Sequence, residues 1–228
     1  MPKFGISLIN VDQLNIFQDL EILSEIGGID YLHIDIMDNN YVPRFGINPE
    51  LIKSLSNFFD FKLDVHLMIR NINNFLTDYN SILYQSSISI HLNMLNLKEL
   101  CIIPKFFKIV LDLVDDKKYC DKISFPLDIL SGITFMGIKP GVLNQVHKPC
   151  IVINKISDFK SLSTNEDFEL QIDGGFNFNT AKKLKDSGIN SFVGGSNSFC
   201  KDIKTGLNKF KKKEIYKRNI DQIFSLIG

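Results

Sequence analysis

Short runs along the chain alternate apolar and polar residues, and between them lie stretches whose apolar residues recur at helical spacing. Phe4 to Ile9, Tyr31 to Ile36, Lys62 to Leu67, Ser87 to Leu92, Phe107 to Leu111, Ile133 to Ile138, Phe168 to Ile172 and Ser191 to Val193 read as strands. The run from Asp12 to Ile26 reads as an amphipathic helix, with Asp12 as its N-cap and Gly27-Gly28 as its stop. Helical periodicity is poorest from Asp115 to Ser131 and from Gln145 to Leu162. Strand and helix in regular alternation imply parallel strands joined by right-handed crossovers, and about eight such units close naturally on themselves. The pattern therefore predicts an α/β protein, a (β/α)8 TIM barrel occupying residues 1–228 as a single domain.

Three of these strands carry unusual side chains. In His33-Ile34-Asp35-Ile36-Met37-Asp38 the period of two puts His33, Asp35 and Met37 on one face and the isoleucines on the other. Leu63 to Met68 repeats the arrangement with Asp64, His66 and Met68, and Leu170 to Gly175 closes an apolar strand with Asp173. Any one of these residues, taken singly, reads better as a satisfied core histidine or an N-cap aspartate. Together they read differently, because a barrel gathers the C-terminal ends of its strands at one mouth. His33, Asp35, His66 and Asp173 should meet there, and buried carboxylates beside imidazoles need a partner. Two imidazoles and two carboxylates suit one divalent ion per chain, of the zinc, iron, manganese or cobalt type, better than magnesium or calcium.

The last strands add an anion site. Gly174-Gly175 follows one of them and Gly194-Gly195-Ser196 the next, and small residues let backbone N–H groups approach a phosphate at the place where barrels commonly bind it.

Composition narrows the partners. With 26 acidic and 26 basic residues the chain has no net field to attract nucleic acid or an anionic membrane. The Lys-rich tail from Lys209 to Arg218 alternates with Phe210 and Ile215 as a solvated helix face does. No apolar run approaches a membrane span and the N-terminus enters a strand without a basic-then-apolar leader, so a cytoplasmic protein acting on a small molecule is expected. Cys101, Cys120, Cys150 and Cys200 form no Cys-x-x-Cys pair and read as reduced core thiols.

Taken in order, these motifs resemble the ribulose-phosphate 3-epimerase family along nearly the whole chain. Ser7-Leu8-Ile9, the run His33 to Pro43, Leu63 to Met68, His91, Met136 with Pro140-Gly141, Asp173-Gly174-Gly175 and Gly195-Ser196 carry the likeness. The resemblance implies a metal held by His33, Asp35, His66 and Asp173, with Asp35 and Asp173 also serving as acid and base. It implies a substrate pocket formed by Ser7, Met37, Met68, Met136, Gly141, Gly174, Gly175, Gly195 and Ser196. The activity implied is epimerisation at C3 of a ketose phosphate, ribulose 5-phosphate to xylulose 5-phosphate, through an enediolate, in the pentose phosphate pathway. A hexulose 6-phosphate 3-epimerase of the allulose 6-phosphate type and a noncatalytic sugar-phosphate binder are the alternatives. Barrels of this group commonly self-associate, which implies a homo-oligomer.

The chain also departs from the family. Pro140 to Gln145 replaces a Pro-Gly-Phe-Gly-Gly-Gln loop, Asp112 to Asp115 replaces an Asn-Pro motif, Asn93 stands where Glu is usual, and Asn39 replaces a glycine. Asn tolerates the left-handed region, so the last change is mild.

Overall fold

In the computed structural model the apolar runs become eight parallel strands: β1 (Lys3–Ser7), β2 (Tyr31–Met37), β3 (Lys62–Met68), β4 (Ser87–His91), β5 (Phe106–Leu111), β6 (Gly132–Met136), β7 (Glu169–Asp173) and β8 (Ser191–Gly194). They pair in sequence order, and β8 pairs back onto β1 to close the barrel. The structure describes residues 1–55, 57–84, 86–95, 104–113, 129–142, 145, 147–162, 168–204 and 206–228. Most of the weakly periodic run from Asp115, together with Cys101, Cys120, Leu143 and Asn144, lies outside the described residues. Among the described residues no helix is long and apolar enough to cross a membrane.

The period of two divides the core into shells. Outward-facing Ile34, Ile36, Val65, Leu67, Ile88, Ile90, Phe107, Ile109, Ile133, Phe135, Ile172 and Phe192 pack beneath the helices in one continuous apolar layer. The barrel interior is polar instead. Tyr31, Asp64, Lys108 and Gln171 fill its lower part, where the Tyr31 hydroxyl meets Ser191 Oγ at 2.9 Å and Gln171 Nε2 donates to Tyr31 at 3.0 Å. Gly5 is required here, because a Cβ would overlap the Tyr31 ring.

The helices follow their apolar stripes: α1 (Ile16–Ile26), α2 (Pro49–Leu55), α3 (Ile72–Asp78), α4 (Asn80–Leu83), α5 (Pro149–Leu162), α6 (Phe178–Ser187) and α7 (Lys209–Ile227). Gly27 ends α1 at φ 72°, as expected. The start of α1 differs from expectation: Asn15 is the N-cap, and Asp12 instead accepts from the Leu14 N–H and the Asn15 amide, closing the preceding turn. Strands also stop early. Leu8–Asn10 and Leu92–Met94 are single 3-10 turns, and Gly137 and Ile138 lie beyond β6. The segment of poor periodicity after Gln145 nevertheless forms α5, because buried Val152, Ile156 and Phe159 supply a stripe at helical spacing.

Two further expectations fail. In α7 the lysine run is not wholly solvated, since Lys212 is buried against Asp12 and Asp19 while Phe210 faces outward. Of the described thiols only Cys200 is buried; Cys150, in the first turn of α5, is exposed.

Candidate metal centre

Strand register builds the site in layers. β2 pairs with β3 so that His33 is opposite Asp64, Asp35 opposite His66 and Met37 opposite Met68. Ser7 of β1 is opposite His33, and Asp173 of β7 is opposite Met136 of β6. On β2 and β3 polar residues thus stand opposite polar ones, with Met37 and Met68 beyond them toward the mouth, while Met136 lies level with Asp173.

His33, Asp35, His66 and Asp173, all buried, each offer one ligand atom, and these atoms lie within 4.8 Å of one another. Nε2 of His33 is 3.4 Å from Oδ1 of Asp35 and 3.5 Å from Oδ2 of Asp173. Nδ1 of His66 is 3.4 Å and 3.1 Å from the same two oxygens. Neither nitrogen has a hydrogen-bond partner. Buried polar atoms are rarely left so, and two nitrogens and two oxygens converging on one point fit a divalent ion with borderline preference. The electrostatics agree. Burial opposes charge on both imidazoles, yet Asp173 and Asp35 outweigh it and raise His33 well above, and His66 above, the ordinary histidine value. Burial likewise opposes charge on Asp35 and Asp173, and His33 and His66 overcome it and lower both. The cluster therefore favours positive charge at its centre.

Three of the four members, His33, His66 and Asp35, are held from behind. The second nitrogen of His33, Nδ1, lies 2.9 Å from Oδ2 of Asp64. Asp64 also accepts from Gln171 Nε2 at 2.7 Å and pairs with Lys108 at 2.8 Å. The second nitrogen of His66, Nε2, lies 2.8 Å from Nε2 of His91, whose imidazole burial pushes below its ordinary value. The Ser7 hydroxyl donates to Oδ2 of Asp35 at 3.1 Å and accepts from Asn10 Nδ2. A carboxylate or imidazole behind a candidate ligand fixes its orientation and tautomer.

Above the cluster opens a cavity of about 210 Å³. Its lining includes every residue expected there from the sequence: Ser7, Met37, Met68, Met136, Gly141, Gly174, Gly175, Gly195 and Ser196, with Asp35 and Asp173 at the floor. Gly195 N–H donates to Ser198 Oγ, whereas among the described residues the N–H groups of Ser196 and Asn197 have no partner. Asn39 adopts φ 59°, as its substitution for glycine predicts, and Asp38 pins this loop by accepting from the N–H groups of Asn40, Tyr41 and Arg70. Sequence reasoning missed Arg44, the only Lys or Arg among the described lining residues, together with Asn10 and Gln145 in the same lining. It also missed Lys108, although a lysine inside an apolar strand on the interior phase was a usable signal.

Residues 3–199 match the model of the ribulose-phosphate 3-epimerase family. The chain belongs to that family. Relatives named ribulose-phosphate 3-epimerase include one from Methanocaldococcus jannaschii, 24% identical over 97% of this chain and 94% of the relative. Another, from Buchnera aphidicola subsp. Acyrthosiphon pisum, is 28% identical over 95% of this chain and 97% of the relative. Among solved structures, a ligand complex of KGPDC from Streptococcus mutans covers 100% of this chain and 99% of its own, with a TM-score of 0.67 at 13% identity. The 3-hexulose-6-phosphate synthase of Salmonella typhimurium covers 95% and 99%, at TM-score 0.61 and 10% identity. At these identities the structural likeness speaks for the barrel alone, while family membership places the chain among isomerases that act as epimerases.

Proposed function

We propose that this chain interconverts ribulose 5-phosphate and xylulose 5-phosphate by moving the C3 proton from one face of the ketose to the other. The observation that carries the reading is the pair Asp35 and Asp173. They come from β2 and β7, three strands apart around the barrel, and both face the floor of one cavity beside the same two imidazoles.

Inversion at C3 needs two proton carriers. One carboxylate takes the C3 proton, the electron pair moves toward the C2 carbonyl, and the other carboxylic acid returns a proton to the opposite face. The two acids therefore enter each turnover with one proton between them. An ordinary aspartate, with a pKa near ~3.9, is too weak a base for an unassisted ketone. A divalent ion held by His33, Asp35, His66 and Asp173 would stabilise the negative charge that develops on the carbonyl oxygen. Ser7 holds Asp35 so that Oδ1 faces the cluster. Met37, Met68 and Met136 supply soft apolar walls that keep water from the planar intermediate. Gly174, Gly175, Ser196 and Asn197 offer backbone to the phosphate, and Arg44 offers charge. A cytoplasmic location is part of this proposal, supported by the lack of any helix long and apolar enough to cross a membrane among the described residues.

A coupled assay decides the substrate. Conversion of ribulose 5-phosphate to xylulose 5-phosphate by the metal-loaded protein is expected, at higher kcat/KM than conversion of a ketohexose 6-phosphate. Faster turnover of the six-carbon sugar would reassign the substrate, and no turnover of either would leave a binding protein.

A further inference from the structure

We propose that Asp112 is a positioning residue for the metal centre, which acts through His91 to hold His66 in the tautomer whose Nδ1 is free to bind an ion. The inference rests on the metal site described above.

Three atom pairs form a line. Asp112 Oδ1 lies 2.9 Å from His91 Nδ1, and His91 Nε2 lies 2.8 Å from His66 Nε2. His66 Nδ1 then faces Asp173 and Asp35. Asp112 Oδ1 and His91 Nδ1 are both buried and meet as a close charged contact, not as an aligned hydrogen bond, and no third atom among the described residues partners either. A carboxylate only accepts, so the proton of a neutral His91 belongs on Nδ1. That leaves a lone pair on His91 Nε2. Two Nε2 atoms at 2.8 Å need one proton between them, and His66 must supply it. A neutral His66 with its proton on Nε2 has a lone pair on Nδ1, aimed at the centre.

The opposite arrangement is a real competitor. With the proton of His91 on Nε2, His66 would accept there and carry its own proton on Nδ1. That N–H would meet Asp173 Oδ2, 3.1 Å away, and fill the place of the ion. His66 and His91 are fully buried, so bulk water does not choose between the two directions. Asp112 makes the choice from the far end. The backbone of Asp112 is itself anchored, since Lys155 donates to its carbonyl oxygen. Asn93, which accepts from the Tyr41 hydroxyl at 3.0 Å, stands 3.5 Å from Asp112 Oδ2.

The test uses the full-length protein labelled with 15N-histidine and loaded with zinc, with zinc Kd measured by competition against a chromophoric chelator. The spectrum of the wild type should show His91 protonated on Nδ1 and His66 on Nε2. Asp112→Ala should weaken zinc binding about 10–100-fold, the range for loss of such an outer partner. Asp112→Asn, which retains an acceptor oxygen, should lie nearer the wild type. A merely structural role would lower the thermal midpoint of the metal-free variant without moving the tautomer signals. His91 protonated on Nε2 in the loaded wild type overturns the inference, and so does an unchanged zinc Kd in Asp112→Ala. If Asp112→Ala does not fold, the wild-type spectrum decides alone. A wild type that binds no zinc overturns the metal site and the inference together, whereas zinc binding with the wrong tautomer overturns only the inference.

Discussion

Inside the barrel the Lys108 ammonium lies 2.8 Å from Oδ1 of Asp64, with side chains only 1% and 3% exposed, and Glu169 Oε1 is 3.2 Å from the same nitrogen. Removing one partner of a buried pair strands the other, so Lys108→Met should destabilise the protein by about 3–5 kcal/mol in urea denaturation. Burial alone would raise the Asp64 carboxyl, but Lys108 and His33 overcome it and hold Asp64 far below the usual carboxylate range. A folded value below the unfolded one gives stability that is present above about pH 4 and is lost as the pH falls toward the folded value. In Lys108→Met the folded value rises, and the acid-unfolding midpoint followed by circular dichroism should move to higher pH. An unmoved midpoint would show that Asp64 does not depend on this lysine.

The lysines of α7 allow a comparison within one helix. Lys212 is 2% exposed and bonds Asp19 at 2.8 Å and Asp12 at 3.1 Å, while Tyr216 donates to the other oxygen of Asp19. Its neighbour Lys213 pairs with Glu25 in the open, at 43% and 46% exposure. Lys212→Ala should cost about 3 kcal/mol or more, and Lys213→Ala about 0–1 kcal/mol. Equal losses in chemical denaturation would contradict the burial argument.

These two lysines also mark where sequence patterns stop being informative. The stripe His33, Asp35, Met37 was legible because a period of two fixes the face and barrel topology fixes the end of the strand. Register then brought Asp64 and His66 alongside without any further assumption. Lys212 gave no such signal, because one lysine in a run looks like its neighbours until a partner such as Asp19 arrives from 193 residues away. Asp12 misled for a related reason. A capping residue and a residue accepting from a turn share the same local chemistry, and the contact with Lys212 that ties it down is long-range. The relay from Asp112 to His66 spans three strand ends, so only the folded barrel exposes it.

The glycines of the cavity divide by backbone rather than by position. Gly174 and Gly175 have φ 83° and 78°, and a Cβ on either would press into Ile138. Gly195 has no such φ, and its nearest neighbour for a Cβ is Asn10 Nδ2 at 3.2 Å. Gly195→Val should therefore fold, yet place bulk beside the unpartnered N–H groups of Ser196 and Asn197. Loss of one or two charge-assisted hydrogen bonds, at about 1.5–3 kcal/mol each, corresponds to a KM for ribulose 5-phosphate raised at least about tenfold. The thermal midpoint should stay near the wild type, in contrast to Gly175→Val. An unchanged KM would remove this turn from the phosphate site.

The two-carboxylate assignment makes a sharper demand than loss of activity. If Asp35 and Asp173 address opposite faces of the ketose, each exchanges the C3 proton of only one epimer, and disabling one should leave the other able to do so. Asp173→Asn is nearly isosteric and keeps an oxygen that can face His33 and His66 in place of Oδ2, now 3.5 Å and 3.1 Å from them. Asp35 keeps its Ser7 partner and its base function. The variant should fail to interconvert the two epimers while still washing deuterium from D₂O into C3 of one of them. NMR on each epimer separately, with metal content checked in the same sample, reads both outcomes. Wild-type epimerisation by the metal-loaded variant, or equal exchange of both epimers, would move the second acid away from Asp173 to another residue at the barrel mouth.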